Sequence, residues 1–348
     1  MLDRTKAGDP VILSDRCPHQ FAPLSLGNLV GDEIECGYHG LRFGKAGTCT
    51  YNPHNSAIPR AARIRAYPAV ERGGVIWYWP GDVEKLDPRL IPDFGFLDDP
   101  AHFSFVRGYL HVACSHQLIV DNLLDLSHTP YLYPQFRSDE TSAELMLSAT
   151  ISKLSREQDR IVAYRLIGNL PAPAWRREAF GIAAGPVDTR LYLTWFPPAL
   201  LYFDSGACPK ATPEGEGFCA PAAHCITPET AVTSHYYHAS ARNTRPNDTE
   251  FDKEHLGFLE AAFIGQDAPM LAAIQKRMSA TGDLFRLQPV LLQVDGPAVA
   301  ARRIFNSMIT PEAEAAIGGT AGKLRRARRV SRTFPSKLPP SISKNNSR

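Results

Sequence analysis

Up to about residue 85 the apolar residues come in short runs broken by Gly and Pro, the pattern of short strands. Val11-Ile12-Leu13 is one such run, and Val75-Ile76-Trp77-Tyr78-Trp79 is another, preceded by Gly73-Gly74 and ended by Pro80-Gly81. Prolines at 88, 92 and 100 then mark a linker. From about residue 105 the pattern changes. Val120 to Leu126 has helical spacing and stops near Pro130. Leu145, Leu147, Ala149 and Ile151 alternate, which predicts a strand over Ala143 to Lys153 with Arg160 to Ile167 as its hairpin partner. Arg190 to Phe196 predicts a further strand. His224 to Ile226 and Ala231 to Ala239 flank the turn-type sequence Thr227-Pro228-Glu229-Thr230 and predict a second hairpin. Glu254 to Met278 is the longest helical stretch, with Leu256, Leu259, Phe263, Met270, Leu271 and Ile274 on its apolar side. The fold class expected is α+β, an all-β N-terminal region followed by an antiparallel sheet with helices. No internal repeat is visible.

Composition narrows the class without naming a function. Hydrophobic residues are 44% and charged residues 21% of the 348, ordinary for a soluble globular chain, and 29 prolines favour a loop- or β-rich architecture. No run approaches the 18 apolar residues of a spanning helix, and Met1-Leu2-Asp3-Arg4 lacks the apolar core of a secretory signal. The expectation is a cytoplasmic protein with no membrane contact. Seven cysteines, an odd number spread from Cys17 to Cys225, do not form a dense secreted framework and leave thiolates available for metal. The net charge of +2 conceals an asymmetry, because nine Lys and Arg and no acid lie between Lys323 and Arg348. The rest of the chain has 29 basic against 36 acidic residues, which argues against a nucleic-acid-binding core. The basic tail, rich in Ser, Pro and Asn, is expected to be a solvated, disordered extension.

Candidate chemistry begins with Cys17-Pro18-His19 and, after 16 intervening residues, Cys36-Gly37-Tyr38-His39. Each loop supplies one thiolate and one imidazole, so two facing loops can hold one iron through two Cys and a second through two His. That is the Rieske [2Fe–2S] arrangement, whose neutral imidazoles raise the reduction potential. A zinc site is the rival, although structural zinc usually pairs Cys with Cys and His with His within each loop. Gly27, Gly37 and Gly40 suit tight loops. Cys49, Cys114, Cys208, Cys219 and Cys225 have no partner at motif spacing and are assigned to packing. Further along, Asn122, Asp125 and His128 fall at i, i+3 and i+6, so a helix would carry them on one side, with a carboxylate able to hold the imidazole's second nitrogen.

Taken with Gly74-Val75-Ile76-Trp77 and Asp121-Asn122-Leu123-Leu124-Asp125-Leu126-Ser127-His128, these motifs resemble the oxygenase (alpha) component of Rieske non-heme iron oxygenases. The likeness is to the vanillate O-demethylase, dicamba monooxygenase and toluenesulfonate methyl-monooxygenase branch and runs from about residue 10 to 310. It implies a Rieske domain over 1–85, a helix-grip-like catalytic domain over 86–317 and a tail over 318–348. It also implies a mononuclear Fe(II) on two His and one carboxylate. His128 matches the first His and Asp267, in Phe263-Ile264-Gly265-Gln266-Asp267-Ala268-Pro269-Met270, matches the carboxylate. The second His falls on Tyr133. In the family the Asp at position 125 bridges to the Rieske histidine of a neighbouring subunit, here His39, across a homotrimer; Asn122 lies beside it.

Three arrangements follow for Tyr133: an unusual His128, Tyr133 and Asp267 site, substitution by His116 or His111, or loss of the iron. The family also implies a reductase drawing electrons from NAD(P)H, O2 as co-substrate, and an aromatic substrate hydroxylated or O-demethylated in a pocket inside the C-terminal sheet. His235 and His238 are candidate lining residues, a structural role being equally open. Two departures remain, the 16 residues before Cys17, which suggest missing early strands, and the basic tail. The alternative functions are a Rieske electron-transfer or degenerate oxygenase-like protein, and a zinc-stabilised binding module.

Overall fold

Short strands build the N-terminal region. β1 (Leu2–Arg4) and β2 (Pro10–Leu13) pair antiparallel ahead of the first Cys/His loop. β3 (Asn28–Val30), β4 (Glu33–Glu35), β5 (Arg42–Phe43) and β6 (Cys49–Tyr51) form a four-stranded sheet, and β7 (Ala66–Tyr67) joins β2. β8 (Ala69–Arg72) and β9 (Val75–Tyr78) form a hairpin whose turn, Gly73-Gly74, has φ of +64° and +60° at its two central residues, conformations that glycine adopts without strain. Leu13, Leu24, Ile34, Phe43 and Ile64 fill the small core together with Cys17 and Cys36.

The computed structural model describes residues 1–133, 135, 137, 141–182, 185–209, 217–278 and 283–318. The tail expected over 318–348 therefore falls, beyond Gly318, outside the described residues. Residues 1–305 form one unit and 306–348 a second, whose described part is the end of a helix.

The proline-marked stretch after β9 is not a free linker. Phe94, Phe96 and Leu97 are buried against Ala223, Ala239 and Ala241, because three large apolar side chains in four residues have an apolar sheet face to cover.

A seven-stranded antiparallel sheet dominates the remainder, in the order β10 (Ser104–Val112), β16 (Ser234–Arg242), β15 (Phe218–Pro228), β14 (Leu200–Pro209), β13 (Pro186–Phe196), β12 (Arg160–Pro171) and β11 (Thr150–Glu157). Both expected hairpins form, β11–β12 closing at Glu157 and Arg160 and β15–β16 at Pro228 and Ser234. Residues 143–148 correct the strand expected there: they form the helix α3 (Ala143–Ser148), and the strand starts at Thr150. Ser142 explains the change, since its hydroxyl accepts from the Leu145 N–H and starts a helical turn. Before it come α1 (His116–Leu124) and the single turn α2 (Thr129–Leu132); after it comes α4 (Ala174–Phe180), between β12 and β13.

The long C-terminal helix is interrupted. α5 (Thr249–Ala262) passes through one π-helical turn, Phe263–Asp267, into α6 (Ala268–Met278). The extra residue in that turn advances the buried face by one position. Leu271, Gln275 and Met278 are buried, whereas Met270 and Ile274, expected on the apolar side, are 49% and 37% exposed. α1, α6 and the first half of α7 (Gly296–Gly318) close the main core with Leu118, Ile119, Leu123, Leu271 and Ala301 against Leu193, Trp195 and Leu201 of the sheet.

Candidate functional site

The two Cys/His loops are copies of one another. The Cys17 N–H donates to the Ala22 carbonyl and the Phe21 N–H returns to the Cys17 carbonyl; in the second loop the Cys36 N–H donates to Leu41 and the Gly40 N–H to Cys36. In each loop the residue four beyond the cysteine is left-handed, Phe21 at φ +62° and Gly40 at +69°. Glycine is required where the loops close, for a Cβ on Gly27 would lie 2.0 Å from the Glu35 carbonyl oxygen and one on Gly37 2.8 Å from that of Leu26. Cys17 and Cys36 are 1% and 2% exposed, and their thiols are neighbours. Burial pushes the Cys17 thiol up, while the His19 and Gln20 N–H groups aimed at its sulfur pull it down. The His19 and His39 rings meet edge to face with centroids 4.6 Å apart, toward the surface. Two sulfurs inside and two imidazoles outside are the donor set a Rieske cluster needs.

The second constellation is assembled by three breaks in regular structure. Asp121 anchors α1 from below, accepting from Arg302 Nε at 2.8 Å and Nη2 at 2.5 Å. Asn122 turns the other way, into a cavity. α1 then ends, correcting the expectation that Asn122, Asp125 and His128 share one helix. Asp125 leaves the helix at φ −120°, ψ 95°, and its carboxylate caps the next turn through the Ser127 N–H at 2.9 Å, with Arg165 3.8 Å away.

The carbonyl of Asp125, rather than its carboxylate, holds His128 Nδ1 at 2.8 Å. A carbonyl can only accept, so Nδ1 carries the proton and Nε2 presents its lone pair. That nitrogen lies 3.8 Å from Asp267 Oδ1, which the π turn brings in to 7% exposure. Asn122 Nδ2 sits between them, 3.1 Å from Asp267 Oδ1 and 3.4 Å from His128 Nε2. Tyr133, where α2 ends, is 4% exposed and donates its hydroxyl to Asp267. Burial, and then the Asp267 charge, drive its phenol far above the ordinary value. Burial raises Asp267 as well, opposed by the Tyr133 hydrogen bond and by His128. Two donors 3.8 Å apart can bridge one ion at ordinary metal–ligand bond lengths of about 2.1 Å. A neutral phenol adds little to that pair, so the donor set fits a metal through His128 and Asp267 and is weak at its third position.

Neither alternative histidine reaches this point. His116 packs on Phe305 at 5.2 Å, held at about 4 by burial, and His111 donates toward Glu229 on the outer side of β10. His235 also belongs to that outer cluster, bonded to Tyr109 at 2.9 Å, whereas His238 does line the cavity. Strand alternation puts residues 235 and 238 on opposite faces.

The cavity has a volume of about 550 Å³. Its sheet wall is a set of registered rows, Leu193, Phe203, Ala222 and Ser240 in one, His224 and His238 in the next. Helix α5 and the π turn form the opposite wall through Phe258, Ala262, Phe263 and Asp267. Sequence reasoning passed over His224, which bonds the Tyr236 hydroxyl at 2.7 Å and is held at about 3 by burial, and His255 of α5. Alternation along Ala220, Ala222 and His224 was the available signal for the first; for Arg302, 181 residues from Asp121, there was none.

Residues 1–68 match the Rieske [2Fe-2S] domain and residues 112–311 the vanillate O-demethylase oxygenase C-terminal domain. The chain is 35% identical over 306 residues to the dicamba O-demethylase oxygenase component of Stenotrophomonas maltophilia, covering 87% of each. It is 34% identical to the oxygenase component of chloroacetanilide N-alkylformylase of Rhizorhabdus wittichii, over 89% of this chain and 88% of that protein. The crystal structure of dicamba monooxygenase bound to 3,6-dichlorosalicylic acid superposes with a TM-score of 0.80 at 32% identity, over 90% of both chains. With its paired Cys/His loops, its seven-stranded sheet and its His128–Asp267 pair, this chain belongs to the family of Rieske oxygenase components that includes the vanillate and dicamba O-demethylases.

Proposed function

We propose that this chain is the terminal oxygenase component of a multicomponent monooxygenase that hydroxylates or O-demethylates an aromatic compound. One observation carries the reading: His128 and Asp267 converge 3.8 Å apart at one end of a 550 Å³ cavity, in a chain that also carries the paired Cys/His loops. Cys17, His19, Cys36 and His39 would hold the [2Fe–2S] cluster. His128 and Asp267 would hold the mononuclear iron, with Tyr133 at the third position. Bound there, Fe(II) supplies the centre at which O2 is activated. The protein's own part is to fix the His128 tautomer through Asp125, to orient Asp267 through Asn122, and to keep the reacting end buried. A reductase fed by NAD(P)H delivers two electrons. The balance for an aryl methyl ether is one O2, two electrons and two protons in; the phenol, formaldehyde and water come out, through a hemiacetal that breaks down.

The domain division follows the same reading, with the Rieske part over 1–85 and the catalytic part over 86–317. In a homotrimer, Asp125 would meet His39 of the partner subunit and relay electrons between centres. Support comes from the exposure of both, His39 at the surface of its loop and Asp125 with 21% of its side chain accessible. Among the described residues no helix is long and apolar enough to cross a membrane.

Tyr133 favours a second reading, a Rieske protein that takes up electrons without a competent iron site. Iron and acid-labile sulfide analysis of the purified protein separates the two. Three irons and two sulfides per chain support the oxygenase, two of each support the second reading, and zinc in their place would exclude both.

A further inference from the structure

The two Cys/His loops match in their own hydrogen bonds but differ in their surroundings. A third loop, residues 52–57, follows β6 and leans on the second of them. His54 Nε2 lies 3.0 Å from the His39 carbonyl oxygen. A carbonyl only accepts, so Nε2 carries a proton and donates it, whether the imidazole is neutral or charged. The His54 ring stands T-shaped to the His39 ring, with centroids 6.2 Å apart. Pro53 Cγ would lie 3.2 Å from a Cβ on Gly40, the residue after His39.

The contact is prepared locally. Asn52 Oδ1 accepts from the His54 N–H at 3.1 Å, and its Nδ2 donates to the Ala57 carbonyl at 3.1 Å, a side chain standing in for backbone in a tight turn. β6 pairs with β5, the strand that leaves the second Cys/His loop, so the sheet sets where residues 52–57 begin. His54 is exposed, so packing does not force its ring onto His39; the hydrogen bond and the Asn52 turn do.

The two imidazole arms are therefore not equivalent. His39 is enclosed by Tyr38 at 3.9 Å, His19 at 4.6 Å and His54, with its carbonyl tied from outside the loop. Among the described residues, no group hydrogen-bonds the matching carbonyl of the first loop, that of His19. Outer partners of this kind orient a ligand and tune the metal behind it.

We propose that His54 is a positioning residue for His39: its Nε2–H fixes one of the two imidazole arms of the cluster, the arm facing the electron path. The proposal rests on the reading of Cys17, His19, Cys36 and His39 as cluster ligands. Iron and sulfide counts and the presence of two histidine nitrogens at the cluster test that reading; changes in one of those nitrogens test this one.

The full-length, cluster-loaded protein is compared with His54→Phe, which keeps a ring and loses the N–H, and His54→Gln, which keeps an amide N–H. Electron–nuclear double resonance of the reduced cluster reads the two histidine nitrogen couplings. Titration against a redox dye reads the balance of oxidised and reduced cluster. A donated N–H favours the state with more electron density, and hydrogen bonding is one of the levers on such a potential. His54→Phe should move one coupling, leave the other, and shift the dye equilibrium about fivefold toward the oxidised cluster, the worth of one ordinary hydrogen bond. His54→Gln should restore most of both. Cluster lost in His54→Phe but kept in His54→Gln also supports the role. Unmoved couplings, both couplings moved alike, an unmoved equilibrium, a Gln variant no better than Phe, or a cluster lost in both variants overturns it.

Discussion

Replacing Tyr133 by His tests whether the third position limits the iron site. At pH 7 an ordinary phenol must give up its proton against about three pH units to become a ligand, a cost of about 4 kcal/mol. Burial and the neighbouring Asp267 charge raise that cost further. A neutral imidazole needs no such step. Tyr133→His should therefore tighten Fe(II) binding by about 30-fold or more, taking half of the 4 kcal/mol to allow for imperfect placement of the new ring. The 5.6 Å between the His128 and Tyr133 ring centroids leaves a ring at position 133 facing the same point. The assay is anaerobic Fe(II) reconstitution, desalting, iron analysis and competition with a chromogenic chelator. Loaded with three irons beforehand, the variant should keep the third through desalting and chelator competition, under which the parent loses part of its own. Tyr133→Phe is the control and should match the parent. A parent that retains a full third iron, or that shows phenolate-to-iron(III) absorption after oxidation, would refute the reasoning; so would a variant with parental affinity.

Three other outcomes follow from the same geometry. Asp125→Asn should leave the visible and EPR spectra of the cluster intact while slowing oxidation of the reduced cluster under single turnover at least tenfold; normal turnover would remove Asp125 from the electron path. Arg302→Met strands Asp121 in the core and should cost about 3 kcal/mol in urea unfolding. Burial already raises Asp121, so the native state of that variant binds its proton more tightly than the unfolded chain does, and the deficit should be smallest in acid and grow as pH rises past about 4. Gly27→Ala drives a Cβ into the Glu35 carbonyl and should abolish cluster assembly, read as lost sulfide and visible absorption, whereas Gly44→Ala, whose Cβ would meet only Thr50 at 3.5 Å, should keep it.

Local pattern carried the Cys/His loops and the hairpins, because each depends on neighbours within a few residues: a spacing, a pair of glycines, an alternation. Position-by-position likeness carried Asp267, since nothing local distinguishes that carboxylate from a solvated one. The misjudged segments have specific causes. Ser142 starts a helix where leucines alternate. Asp125 ends one where the apolar spacing continues, because its carboxylate caps the following turn. Phe94, Phe96 and Leu97 look like linker until the apolar face formed by Ala223, Ala239 and Ala241 is known. The inward direction of His238 and His255 depends on a sheet register and a helix placement set by contacts more than a hundred residues apart along the chain.

The π turn at Phe263–Asp267 has a consequence beyond the placement of one carboxylate. It is a defect in a helix that would be sounder without it, since five residues there forgo the regular hydrogen-bond ladder. Deleting one of them, Gly265 for example, lets the ladder close. The segments on either side then turn by about 100° relative to one another. Either Asp267 stays in the cavity and the Leu271, Gln275 and Met278 stripe swings toward solvent, or the stripe stays packed and the carboxylate leaves. The fold cannot keep both. Selection for a more rigid chain would press on this turn first, and the irregularity persists only while something continues to need the acid inside.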